Sequence, residues 1–103
     1  MVHVVATIEL AGGARDTFLA EFSRIVPLVR AEDGCLAYQA TVDLATGLPA
    51  QAPVRPDVVV VVEQWRDLPA LEAHLAAPHM TAYRARVKGL VVQTTLQVLT
   101  PAP

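Results

Sequence analysis

Five consecutive valines, Val58 to Val62, run into Glu63-Gln64-Trp65. β-Branched residues are stiff at χ1 and pack well on a pleated surface, so the run predicts a strand. With no polar residue at alternate positions, it predicts a strand buried on both faces, at the centre of a sheet. The 103-residue chain has room for one domain, read here as residues 1–103. It is 53% hydrophobic before its 5 glycines are added, against a usual ~45–50% with glycine included. A domain this small buries only roughly 60–65% of its unfolded surface, so the apolar excess predicts a partner subunit.

Around the valine run, hydrophobic periodicity marks out the remaining elements. Val4, Ala6, Ile8 and Leu10 alternate with His3, Val5, Thr7 and Glu9, the pattern of a strand with one dry face. Phe18, Phe22, Ile25, Val26 and Val29 recur at helical spacing, with a kink predicted at Pro27. After Glu32-Asp33-Gly34 a second strand is predicted with Leu36, Tyr38, Ala40 and Val42 on one face. Residues 43–57, with Gly47, Pro49, Pro53 and Pro56, read as a long irregular connection. Asp67 is a candidate N-cap for a helix carrying Leu68, Leu71 and Leu75. Pro78 breaks that helix, and Met80, Tyr83 and Val87 mark another, which Gly89 is expected to stop. Val91–Leu99 reads as the last strand, with Val92, Leu96 and Val98 on one face. The order predicts an α+β, ferredoxin-like βαββαβ domain, its antiparallel sheet covered by helices on one face and its first and third strands central. The uncovered face carries Val5, Thr7, Thr41, Gln93 and Thr95, and a second sheet is expected to pack on it.

A net charge of −2, with basic residues scattered apart from Arg84, Arg86 and Lys88, which read as a solvated helix end, argues against nucleic acid as a partner. No apolar run is long enough to span a bilayer, and the first residues lack a signal-peptide pattern. The 1 cysteine, Cys35, cannot form an intrachain disulfide and reads as an inert thiol, consistent with a reducing, cytoplasmic location. No metal site is expected, because His74 and His79 lie across a proline and cysteine pairs are absent.

Several segments in one order carry a resemblance. Ile25-Val26-Pro27, Glu32-Asp33-Gly34-Cys35, Val62-Glu63-Gln64-Trp65, Leu71-Glu72-Ala73-His74-Leu75, Pro78-His79-Met80, Ala82-Tyr83 and Val87-Lys88-Gly89 together resemble the antibiotic-biosynthesis monooxygenase family, and within it the small bacterial quinol monooxygenases. The resemblance implies a homodimeric α/β barrel with sheets packed face to face. It also implies oxidation of a quinol or related polyphenol by dioxygen as co-substrate, without metal, haem or flavin. A haem-degrading branch uses an Asn, a Trp and a His; their places are taken here by Ala6, His74 and Arg84, which argues against haem degradation.

Oxygenation without a cofactor requires the substrate to supply the electrons, which a quinol does most readily as its anion. The site therefore needs a base near neutrality, donors for developing oxyanion charge, and an apolar chamber. His74, on the leucine stripe, and His79, opening the next helix, are both candidate bases. Either is also readable as structure, His74 satisfied by backbone or by Glu63 and His79 as part of a helix start. Glu63 is a candidate catalytic carboxylate, expected to pair with a histidine, an arginine or a backbone donor. Tyr38, Trp65, Tyr83 and Arg84 are candidate substrate contacts, with core packing or a solvated face as the alternative for each. Two other function classes stay open: an isomerase or other proton-transfer enzyme on a small carbonyl compound, and a non-catalytic small-molecule-binding dimer module.

Overall fold

The computed structural model describes residues 1–103. Its elements run β1 (Val2–Leu10), α1 (Arg15–Arg30), β2 (Cys35–Thr41), β3 (Val58–Trp65), α2 (Leu68–Leu75), α3 (Pro78–Val87) and β4 (Val91–Leu99). One four-stranded sheet has the order β2-β3-β1-β4, every neighbour antiparallel. This is the ferredoxin-like arrangement, with β1 and β3 central as predicted. No helix is long and apolar enough to cross a membrane.

The helices form where the sequence places them. α1 continues through Pro27 and buries Phe18, Phe22, Ile25 and Val29. Asp67 caps α2 through its side chain, which accepts from the Ala70 amide at 2.9 Å, and Pro78 begins α3. Gly89 does not take a positive φ; the turn after α3 closes instead by a bond from the Leu90 amide to the Val87 carbonyl at 2.8 Å.

Three strand assignments change. In β3, Val59 and Val61 are buried at 0% and 2% exposure, while Val62 on the opposite face is 40% exposed. The valine run is thus central in the sheet, and within this chain it is covered on one side, because all three helices lie against the same face. In β2, Leu36 is 57% exposed although Tyr38 is buried; an irregularity between Cys35 and Ala37 breaks the alternation. In β4, Leu96 and Val98 pair with Ala6 and Val4, but a shift between Glu9 and Leu10 brings Val91 opposite Leu10. Val91 therefore joins the inward face, and Val92 turns outward at 71% exposure.

The core lies between the sheet and the helices. It joins Val4, Ala6, Ile8 and Leu10 of β1 to the α1 stripe, to Val59, Val61 and Trp65 of β3, and to Leu71, Met80, Tyr83 and Val87. The 43–57 connection is exposed and closed at its base by Arg55, which bonds both carboxylate oxygens of Asp43 at 2.9 Å.

Candidate active site

The turn from α1 into β2 is held tightly. Gly34 has a φ of +81°, and a Cβ there would lie 2.6 Å from that of Ala70, so the position requires glycine. Its carbonyl accepts from the Arg66 amide at 2.8 Å. The Arg66 guanidinium meets Asp33 at 3.0 and 3.1 Å. These contacts pin the turn to the junction between β3 and α2 and carry the neighbouring Glu32 side chain beneath the two short helices.

There one oxygen of Glu32 takes two imidazoles. Its Oε2 lies 2.8 Å from Nδ1 of His74 and 3.0 Å from Nε2 of His79. His74 is 2% exposed, and its ring lies 4.6 Å from that of Trp65 and edge-on to Tyr38 at 5.5 Å. Burial pulls its pKa below the ordinary imidazole value, partly offset by its hydrogen bond to Glu32. Burial thus favours the neutral ring. Against a carboxylate its Nδ1 must be the donor, which leaves Nε2 with a lone pair.

Glu63 belongs to a different environment. The Trp65 indole N–H donates to its Oε1 at 2.8 Å, so its partner is neither the histidine, the arginine nor the backbone donor expected from the sequence, and the carboxylate beside His74 is Glu32. Burial, opposed by the indole bond and reinforced by the Glu32 charge, pushes the Glu63 carboxyl up to about 7.

A cavity of about 420 Å³ lies between helices and sheet, and both His74 and Glu63 face it. Its volume suits one small aromatic molecule. Most of the wall is apolar, with Ala6, Ile8 and Val61 from the sheet and Phe22, Met80 and Val87 from the helices. Tyr38 and Tyr83 also line it. Neither hydroxyl is bonded within the chain, yet no fully buried polar side-chain atom lacks a partner, so both open to the cavity. Burial raises both phenol pKa values, keeping them protonated as donors. Arg84 stands at the wall too, its guanidinium donating to the Leu75 carbonyl at 2.7 Å.

Two candidates lie behind the wall. Trp65 is 0% exposed and fills the core beneath His74 and Glu63. His79 meets Glu32, is partly exposed and does not line the cavity. Cys35 stays a protonated thiol, its pKa raised by burial and by the Glu32 and Glu63 charges. No three His, Cys, Asp or Glu side chains are arranged to hold a metal ion. Glu32 is the participant that sequence reasoning missed. Its signal was available in the Glu32-Asp33-Gly34 turn, where a charged residue precedes a glycine that must adopt positive φ.

A buried histidine facing a mostly apolar cavity in a ferredoxin-like fold makes this a small α+β domain with an internal ligand-sized chamber, and residues 1–86 match the antibiotic biosynthesis monooxygenase family. The chain belongs to that family. It is 42% identical over 103 residues to the probable quinol monooxygenase YgiN of Escherichia coli K12, covering 98% of each chain. Among solved structures it is similar to Rv0793 of Mycobacterium tuberculosis, at 30% identity and a TM-score of 0.78, covering 99% of this chain and 95% of that one. PA3566 of Pseudomonas aeruginosa matches at 26% identity and a TM-score of 0.80, with 99% and 94% covered.

Proposed function

We propose that the protein is a cofactor-independent monooxygenase acting on a quinol or related polyphenol. The observation that carries this reading is His74, held by Glu32 through Nδ1 so that the Nε2 lone pair is left for an apolar cavity. Nε2 removes a phenolic proton, and the imidazolium that forms is stabilised by the carboxylate behind it. The quinol anion then supplies electrons to dioxygen; one oxygen atom ends on the ring and the other leaves as water with two protons. Tyr38 and Tyr83 donate to the substrate oxygens, and the apolar wall keeps bulk water from the oxygenated intermediate. Glu63, with a carboxyl near 7, holds or returns a proton on the same cavity.

The reading is tested with metal-stripped protein and 2-methyl-1,4-naphthalenediol. Oxygen uptake above the buffer rate, with one labelled oxygen atom in the product, is expected; a folded protein that leaves the autoxidation rate unchanged removes the activity. Proton transfer on a small carbonyl compound is the second reading, favoured by the near-neutral Glu63, and it would be revealed by anaerobic turnover.

The outer sheet face supports a homodimer, because Val5, Val60 and Val62 lie side by side there across β1 and β3 without a helix over them. A second copy packed face to face would cover them, and sedimentation at micromolar concentration is expected to give twice the monomer mass. The reading includes one domain over residues 1–103 and a reducing, cytoplasmic setting, supported by the unpaired Cys35.

A further inference from the structure

The cavity has two chemically different ends. Its deep end holds His74, Glu63 and the two tyrosines, all buried. Its outer end lies between α3 and β4, where Arg84, Lys88 and Thr94 are exposed. Lys88, the C-cap of α3 with helical φ and ψ, lies four residues after Arg84 and so stands on the same face. Most of the chain's other cations are neutralised: Arg24 and Arg86 meet Glu21, Arg55 meets Asp43, and Arg66 meets Asp33 and Asp67. Arg84 and Lys88 meet no carboxylate. Arg84 is nevertheless held in place, since one of its five N–H groups is spent on the Leu75 carbonyl and the others are left over.

We infer that this outer end binds an anionic substituent, so that the preferred substrate is a hydroxylated aromatic acid. Its carboxylate would meet Arg84 and Lys88 at the mouth while its phenol enters toward His74. A planar guanidinium already anchored on one side loses little freedom when it takes a carboxylate, and Thr94 adds a hydroxyl donor from the opposite wall. The competing explanation is that both cations merely favour the C-terminal end of α3. That explanation predicts no preference among ligands.

The inference rests on the quinol reading of this cavity, but binding and turnover are measured separately. Anaerobic calorimetry compares 1,4-dihydroxy-2-naphthoate with 2-methyl-1,4-naphthalenediol, a pair differing by carboxylate against methyl. The carboxylate is expected to bind about tenfold more tightly. The preference should shrink as salt rises from 20 to 500 mM, roughly, as screening of exposed charges requires. In Arg84→Gln/Lys88→Gln, whose substitutions are at exposed positions, the ratio of the two affinities is expected to approach one, with the melting temperature checking the fold. Equal or weaker binding of the carboxylate to the unaltered protein overturns the inference, as does a preference that survives the double substitution. Absence of oxygen uptake with both quinols, alongside an intact carboxylate preference, would remove the oxygenase reading and leave the anion site standing.

Discussion

His74 separates two carboxylates that the fold treats oppositely. On the turn side, Glu32 receives two imidazole nitrogens on one oxygen. On the cavity side, Glu63 receives a single indole N–H amid apolar neighbours and stays protonated up to about 7. The difference lies in what each side chain meets: two donors on one side, an apolar wall on the other. The result is a carboxylate behind His74 and a carboxyl that holds its proton toward neutrality in front of it, the polarity that the proposed proton removal from a phenol would use.

The largest test of this contrast removes the group between its two halves. His74→Gln is expected to lower kcat for quinol oxidation by about 10²–10⁴-fold, the usual contribution of a positioned base, measured as oxygen uptake. An undiminished rate would move the base elsewhere in the cavity.

Next is the cavity-side carboxylate. A carboxyl raised from 4.5 to about 7 on folding contributes stability that is complete below the unfolded value and is lost as pH rises through the folded one. The loss is about 3 kcal/mol between pH 4 and 8. Glu63→Gln has no such proton to lose. Urea denaturation of the two proteins should therefore diverge above pH 5 in favour of the variant, and parallel curves would mean that Glu63 is not perturbed by burial.

Glu32→Gln tests the opposite side. Replacing the carboxylate should cost about 10–100-fold in kcat, the range for a group that orients a neighbouring histidine. Its diagnostic is the pH profile. Without the negative charge, protonated His74 is less stable, so the acid limb of kcat moves to lower pH, and Glu32→Asp should restore part of both rate and profile. A lowered rate with an unmoved limb would make Glu32 structural only.

The smallest effect belongs to His79. His79→Gln leaves an amide able to donate to Glu32, and a change of only a few-fold in kcat is expected. A loss as large as that of His74→Gln would show that the outer imidazole takes part in the chemistry.

Much of the framework was legible along the chain. The alternation of Val4 to Leu10, the α1 stripe, the Asp67 cap and the Pro78 break all recur in the structure, because each depends on near neighbours. Two of the misplaced residues share one cause. Leu36 and Val92 follow a period-two pattern on paper, but register irregularities at Cys35/Ala37 and Glu9/Leu10 turn them outward. An irregularity in register is a relation between strands, and neither strand carries it alone. The valine run was read as doubly buried, and within this chain only one of its faces finds cover, because hydrophobicity tells which residues seek cover without telling what supplies it.

The candidate site divides the same way. His74, Glu63, Tyr38, Tyr83 and Arg84 were singled out by residue type and position, and the fold brings all of them to one cavity. Trp65 and His79 stand behind its wall, packed under or bonded to the groups that face it. Glu32 escaped notice because it lies 42 residues from His74 in sequence. Local pattern thus determined the elements, their order and the kinds of side chain available for acid–base chemistry. Only the tertiary structure decided which carboxylate meets His74, which groups line the cavity and which ring nitrogen is left for a substrate. Periodicity acts over a few residues of chain, whereas hydrogen-bond partners and burial are set by segments that meet only when the chain closes on itself.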